Sequence, residues 1–442
     1  MKITACISPN ERCRDGLADI RIQAENGLSY QLDLPFGDLY QRCGVPSVRA
    51  LDLLITASIC YVVDKTVPRS SSDNAWTRAL QVSVPVSEPK AWSKIADDLA
   101  GTLSFLTGDQ WALSFRKAET ALFVPPKGNM LPLQADPQLK TVCLFSGGLD
   151  SLGGAIDLLS DEQNGKLLLV GHYDGPGPRK VQALLASELE KVYPQRVCIE
   201  HVRVAHRPAE AAEETLRSRS LVFIALGLFA AQAAGSTTPL YMFENGFIAL
   251  NVPLTPSRRS SCSTRTMHPY FLFRLRSIIA ALGITNPIVN PYALKTKGEC
   301  IADCKNKDLL ARLAGISVSC SHSSRRQDWI RKTAKNCGYC VPCICRRAAL
   351  YKARLDSGQD YGRDVLKEEL TVEDAMESAN DLRAVTDFLN GPQTEAGLRK
   401  KILAVATFPN HDAYAVMASR GVAELKAFLN QARPKVTVPK HA

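Results

Sequence analysis

LKTVCLFSGGLDSLGGAIDLL, residues 139–159, runs from an apolar segment through a glycine turn into a helix start. Val142, Cys143, Leu144 and Phe145 form a continuous apolar run, the kind that fills a strand buried on both faces of a parallel sheet. Ser146-Gly147-Gly148 ends it. Two glycines remove the Cβ atoms that would hold a phosphate away from backbone N–H groups, and Asp150 and Ser151 stand where the next helix begins. A helix start presents unpaired N–H donors and a partial positive charge, so an anion is welcome there. The pattern G-x-x-x-x-G-K-[ST] is absent, which argues against ordinary γ-phosphate chemistry. The competing reading is an ordinary strand-to-helix turn.

Outward from this stretch the chain alternates strand and helix, as in a doubly wound parallel sheet of α/β class. Lys166–His172 reads as a second buried strand, 181–192 as a helix, 196–204 as a third strand, 221–234 as an apolar helix and 240–243 as a fourth strand. In such sheets ligands sit outside the carboxyl ends of the strands, so His172, Asp174, Arg219, Glu244 and Asn245 are expected at the same mouth as the glycine turn. For each of them a capping or turn role competes with ligand contact. Further on, 257–276 carries Arg258, Arg259, Arg265, Arg274 and Arg276 with no acidic residue, which suits either a loop over phosphate or carboxylate or a basic surface loop. Lys297 opens a helix after Thr296, where it can neutralise departing pyrophosphate, and Glu299 is a capping partner or metal contact.

Cys337-x2-Cys340-x2-Cys343 is the second strong signal. Three thiolates around one tight turn, with Cys320 upstream as the fourth, complete the tetrahedron that zinc prefers. Cys345 would need a cramped chelate and His322 breaks the all-sulfur set, so Cys320, Cys337, Cys340 and Cys343 are the expected metal ligands. Four thiolates leave no open position, so the site is structural. A redox dithiol is the competing reading.

The chain of 442 residues has room for two or three domains: an N-terminal α/β module over 1–135, a central domain over 136–350 and a helical C-terminal extension over 351–442. The proline-rich segment 125–137 marks the first boundary. Ile20 and Ile22, then Leu32 and Leu34, alternate with polar residues on either side of Asn26-Gly27, which predicts a hairpin. Trp92, Ile95, Leu99, Leu103 and Leu106 recur at helical spacing. An apolar content of 45% with 22% charged residues is that of a globular protein. The longest apolar segment, 221–235, is too short for a bilayer, and 1–14 lacks an apolar signal region, so a cytoplasmic location without a membrane partner is expected. Fourteen cysteines clustered late in the chain fit a metal site in a reducing compartment, and a net charge of +10 suggests an anionic ligand.

SGGLDS at 146–151, Thr296-Lys297 with Glu299, and Cys320 with CGYCVPCICR at 337–346 together resemble the QueC-like family of 7-cyano-7-deazaguanine synthases, which carry the PP-loop of the N-type ATP pyrophosphatases. The resemblance spans roughly 139–350 and implies a Rossmann-like PP-loop fold of the adenine nucleotide alpha hydrolase type. It implies that Ser146, Gly147, Gly148, Leu149, Asp150 and Ser151 hold ATP and Mg²⁺, that His172 and Arg219 line the nucleotide site, and that Lys297 faces pyrophosphate, with Asp150, Ser151 and Lys297 catalytic. It also implies zinc on the four cysteines and a ligase reaction in which a 7-carboxy-7-deazaguanine is adenylated and then attacked by an amine. ENGFIALN at 244–251, STRTMHP at 263–269 and the added length resemble the long QueC-like form of anti-phage systems, the QatC type. That form implies partner proteins of the same defence operon and allows a protein amino group as the acceptor. RNA thiolation by a related tRNA-modifying enzyme is the second reading, weakened because Cys143 on a buried strand is a poor sulfur carrier; nucleic acid is not the favoured partner. A nucleotide-binding defence subunit without turnover is the third.

Overall fold

The computed structural model describes residues 1–6, 17–25, 27–119, 136–173, 175–208, 212–213, 217–254, 265, 267–323, 326–368, 370–371, 377–431 and 436–437. Asn26, Asp174, Arg258, Arg259 and the expected boundary 125–135 therefore lie outside the described residues. Ten strands and one short pairing segment build two sheets. The first uses β1 (Lys2–Cys6), β2 (Leu17–Ala24), β3 (Ser29–Pro35), β4 (Ala79–Val86) and β5 (Gln110–Lys117). The second uses β6 (Leu139–Leu144), β7 (Lys166–His172), β8 (Val197–Val202), β10 (Leu240–Tyr241) and β11 (Ile288–Val289). Between β8 and β10 the short β9 (Ala205–Arg207) leaves the second sheet and pairs antiparallel with β3, giving the first sheet the order β5-β4-β1-β2-β3-β9.

All pairings in the second sheet are parallel, in the order β11-β10-β6-β7-β8. The chain winds outward from β6 through β7 and β8, then returns to the other side of β6 for β10 and β11. The reversal between β6 and β10 opens a crevice at their carboxyl ends, where ligands of open α/β sheets bind. Side chains alternate across this sheet as a two-residue period requires. Val142, Leu144, Leu168 and Val170 face the helix Arg219–Ala234, while Cys143, Phe145, Leu167 and Leu169 face the helices Leu149–Leu159 and Pro176–Val192. Helices on both faces explain why β6 reads as an unbroken apolar run. Close approach also fixes small residues: a Cβ on Gly227 would lie 2.5 Å from a Leu240 methyl, and one on Gly154 would lie 1.9 Å from the Phe243 ring.

The N-terminal segment does not stand apart from the central sheet. Its helix Val48–Thr66 is buried along its length between the first sheet and the Arg219–Ala234 helix, and one apolar core runs through all three. A buried charge network reinforces the seam. Arg78, 2% exposed, donates to Asp64 and Asp109 at 2.6 Å each, Arg69 donates to Asp109 at 2.9 Å, and Ser218 Oγ donates to Asp64 Oδ2 at 2.7 Å. Ser218 directly precedes the Arg219–Ala234 helix, so Asp64 of the N-terminal segment holds the start of that helix. The expected hairpin forms as β2 and β3, with Ile20, Ile22, Leu32 and Leu34 buried and Gly27 at φ +84°.

Past the sheet, the helices Glu377–Asn390 and His411–Leu429 pack on Val341–Lys352, and Glu395–Leu403 packs on His411–Leu429, with Leu382, Val385, Phe388, Leu398, Ile402, Leu425 and Phe428 in one buried apolar cluster. Among the described residues no helix is long and apolar enough to cross a membrane.

Candidate functional site

The glycine turn leaves the carboxyl end of β6 and enters the helix Leu149–Leu159. Gly147 has φ +80°, in the left-handed region, and a Cβ there would lie 3.2 Å from Val181 and 3.3 Å from Gln182. The positive φ favours glycine, and a side chain there would press on both neighbours. Gly148 occupies the N-cap with no side-chain cap, so the first helical N–H groups take their partners from elsewhere. Leu149 N donates to Ser319 Oγ at 3.2 Å, Gly148 N to Ser146 Oγ at 3.3 Å, and Ser151 Oγ donates back to Gly148 O at 3.0 Å. Ser146 is exposed at the mouth, while the Leu149 side chain is buried and offers only its backbone.

Asp150 is the hub of the crevice. Lys297 Nζ donates to Asp150 Oδ1 at 2.5 Å and Asn245 Nδ2 donates to Asp150 Oδ2 at 2.8 Å. Asp150 follows β6, Asn245 follows β10 and Lys297 follows β11, so three neighbouring parallel strands deliver the three residues to one point. Both charges of the pair are 7% exposed. Asn245 is fixed from its other side by accepting from Ile248 N at 3.0 Å as a helix cap. Partly buried Glu244 stands beside them, its carboxyl pushed up to about 8 by burial and by the Asp150 charge, against the opposing effect of Lys297.

Lys297 is itself held in place. Thr296 and Glu299 form a capping box at the start of its helix, which answers the expectation for Glu299 in favour of capping. Glu424 from the C-terminal helix accepts from Thr296 Oγ1 at 2.6 Å and from Gly298 N at 3.2 Å, and Arg420 pairs with Glu299 at 2.6 Å. A carboxylate at a helix N-terminus is stabilising. The C-terminal extension thus braces the lysine.

The sulfurs of Cys320, Cys337, Cys340 and Cys343 all lie within 4.8 Å of one another, with Cys337 and Cys343 3.7 Å apart. Zinc bound tetrahedrally at about 2.3 Å per sulfur spaces its ligands about 3.8 Å apart, so the set fits that ion. Backbone N–H groups already point at the sulfurs: His322 N and Cys337 N at Cys320 Sγ, and Tyr339 N and Cys340 N at Cys337 Sγ, all at 3.3–3.4 Å. Such donors favour thiolates. Gly338 makes the turn at φ +92°, where a Cβ would lie 2.2 Å from Arg363 O. Cys345 is buried elsewhere, beside Lys297 and Ala348, and His322 donates its backbone N–H to Cys320 Sγ while its ring lies 5.7 Å from that of Tyr339.

A relay ties this cluster to the glycine turn. Arg346, 2% exposed and three residues beyond Cys343, donates to Ser317 Oγ at 2.8 Å, Ala314 O at 2.6 Å and Ser319 Oγ at 3.3 Å. Asn336, beside Cys337, accepts from Ser319 N at 3.0 Å. The segment so fixed lies along the turn, with Val318 N donating to Gly147 O at 3.0 Å and Ser319 receiving Leu149 N. Nothing in the local pattern around Ser319 or Asn336 marks them, because their partners lie 170 and 17 residues away.

Other expected residues have partners of their own. His172 is fully buried at the end of β7, its ring packed between Tyr61 and Phe223 and its Nδ1 accepting from Arg219 Nε at 3.1 Å. Arg219 also donates to His172 O at 3.2 Å. The pair sits at the carboxyl end of β7, where Gln182 donates to both His172 O and Ser146 O at 3.3 Å and so links it to the glycine turn. Three arginines of the basic segment have structural partners: Arg265 donates to Phe105 O, Arg274 pairs with Asp98 and Arg276 donates to Ile288 O. Arg274 and Arg276 lie on the helix Pro269–Ala281, so the expected loop does not extend over them. Cys143 is buried, and burial pushes its thiol up, away from the thiolate.

A scan against protein-family models, a search of curated proteins and a search of solved structures each find no match to this chain.

Proposed function

We propose that this protein is a QueC-like PP-loop enzyme that uses ATP to adenylate the carboxylate of a 7-deazaguanine and then joins the acyl group to an amine. The observation that carries the reading is the meeting of Asp150, Asn245 and Lys297 beside a glycine turn with Gly147 at φ +80°, at the carboxyl ends of parallel strands. The backbone of 146–149 cradles the phosphates. Asp150 keeps unused lone pairs beyond its bonds to Lys297 and Asn245, so it suits the Mg²⁺ that accompanies ATP and that shields phosphate charge. The substrate carboxylate attacks the α-phosphorus, the α–β bond breaks and pyrophosphate leaves. Lys297 stabilises the charge that builds on it, and the amine then displaces AMP from the acyl carbon. This chemistry asks the protein to position and neutralise, which the braced lysine and fixed turn suit.

Zinc on the cysteine set is read as structural, acting through Arg346 on the turn. A role beside partner proteins of a defence operon follows from the long QatC-type motifs. The thiolation alternative is disfavoured by the burial of Cys143. The test is exchange of labelled pyrophosphate into ATP by the full-length protein. Exchange that requires 7-carboxy-7-deazaguanine and is lost in Asp150→Asn supports adenylation; absence of exchange with that acid overturns the substrate assignment.

A further inference from the structure

The C-terminal helix His411–Leu429 turns one face toward the crevice. Met417, Gly421 and Glu424 follow one another at steps of four and three residues, which places them on one side of a helix. Met417 and Gly421 seat the segment that follows β10: a Cβ on Gly246 would lie 2.7 Å from Met417 Cε, and one on Gly421 would lie 2.3 Å from the Phe247 ring. Asn245, which donates to Asp150 Oδ2, directly precedes those two contacts. Glu424 seats the segment that follows β11, through Thr296 Oγ1 and Gly298 N. A Cβ on Gly298 would lie 2.5 Å from the Glu424 carboxylate, so a position without a side chain admits it. The two segments are also tied to each other, Gly246 N donating to Tyr292 O at 3.1 Å and to Lys295 O at 2.9 Å. One helix face thus sets two of the three arms that meet at Asp150, and Asn245, Lys297 and Glu424 line the same small pocket.

The capping box of Thr296 and Glu299 already closes the start of the Lys297 helix, yet a second carboxylate, 10% exposed, arrives from 126 residues away. Thr296 Oγ1 accepts from Glu299 N at 3.2 Å and donates to Glu424 Oε1, so its hydroxyl is held on both sides. Thr296 and Gly298 flank Lys297, and both are bound to Glu424. The backbone at 297 therefore cannot turn without breaking one of those bonds. A lysine ammonium rides on a four-carbon stem with much rotamer freedom, so its placement depends on how firmly the root is fixed. Asp150 holds the head of Lys297 and Glu424 holds the root.

We propose that Glu424 is a positioning residue for Lys297, which makes the C-terminal helix part of the crevice machinery. The effect on rate rests on the adenylation reading; the placement of the lysine does not, and the test has an arm for each. In the first, full-length wild type and Glu424→Ala are treated briefly with acetic anhydride and each lysine is scored by peptide mass spectrometry. Lys297 acetylates about fivefold faster or more in the variant, while Lys166, paired with Asp136, stays within about twofold. In the second, pyrophosphate exchange into ATP loses about tenfold or more in kcat with the KM for ATP within about threefold, because the lysine charge counts most as pyrophosphate leaves and a misplacement of about 1 Å can cost about a hundredfold. Lys352→Ala, which removes only the half-exposed partner of Glu424, changes neither readout. Adding Glu424→Ala to Lys297→Met changes exchange by less than about twofold, since no ammonium is left to place. Circular dichroism checks folding; should Glu424→Ala unfold, Glu424→Gln, which keeps an acceptor for Thr296 Oγ1, gives the same two readouts. Unchanged acetylation of Lys297 overturns the proposal whatever the substrate. Exchange at the wild-type kcat, or a further tenfold loss in the Lys297→Met background, also overturns it. A wild type that shows no exchange with 7-carboxy-7-deazaguanine overturns the substrate assignment instead, and the acetylation result alone then decides the role of Glu424.

Discussion

Lys297→Met removes one charge from the crevice while keeping most of the side-chain volume. The pair it breaks is 2.5 Å long, and each side chain is 8% exposed. At an effective dielectric constant of about 20, attraction at that distance is about 7 kcal/mol before desolvation is counted. Removing one partner of a buried pair costs about 3–5 kcal/mol, because the other charge is stranded. Asn245 still donates to Asp150, which places the expected loss near the lower end, about 3 kcal/mol. Asp150→Asn/Lys297→Met removes both charges, so the double variant is expected to be more stable than Lys297→Met alone. Pyrophosphate exchange should fall about a hundredfold or more in either variant, as for loss of a positioned catalytic donor. Denaturant unfolding followed by circular dichroism gives the stabilities, and exchange gives the function. A Lys297→Met protein as stable as wild type, with exchange within threefold of it, would refute the reasoning.

Other outcomes follow from the same contacts. Arg346→Leu removes the bonds to Ala314 O, Ser317 Oγ and Ser319 Oγ, but Ser317 still donates to Ala314 O at 2.8 Å, so the cost should be about 1–2 kcal/mol; its zinc content should stay at the wild-type level while the Kd for a non-hydrolysable ATP analogue rises about tenfold, and unchanged nucleotide affinity, in this variant or the milder Arg346→Lys, would contradict the relay. Glu244, raised from 4.5 to about 8, keeps a proton in the native state that the unfolded chain releases, so its contribution to stability is full below pH 4.5 and is lost as pH rises through 8. Glu244→Gln should therefore flatten the fall in melting temperature between pH 5 and 8, and an identical slope in wild type and variant would disprove the assignment. Metal analysis should find about one zinc per chain, and Cys340→Ser should lose it and loosen the segment 317–346, seen as faster proteolysis there.

Local chemistry was readable where neighbours in sequence decide it. The turn at Ser146–Gly148 follows from two glycines after an apolar run, and the ligand set of Cys320, Cys337, Cys340 and Cys343 follows from spacing plus a preference for sulfur. The apolar set Trp92, Ile95, Leu99, Leu103 and Leu106 is buried as expected, but the helix breaks between Pro89–Ser93 and Ala96–Thr107, because periodicity reports a face and not continuity. The fourth strand is only Leu240–Tyr241; beyond it Met242 N still donates to Val289 O at 2.9 Å, and Met242 and Phe243 are buried. What stayed hidden is long-range. Glu424 on Thr296, Ser218 on Asp64 and β9 on β3 join residues more than 100 positions apart, and no local pattern encodes such meetings. His172 ends its strand as expected, but the burial of its ring against Tyr61 of the N-terminal helix is another meeting that no local pattern encodes.

Adenylation is tested most directly by mass spectrometry of the full-length protein with ATP, Mg²⁺ and 7-carboxy-7-deazaguanine, with ammonia and a protein encoded beside it as alternative amines. The account predicts AMP and pyrophosphate in equal amounts, with an amide or nitrile product or a matching mass gain on the protein acceptor. ADP and phosphate instead, or no AMP with any amine, would contradict it.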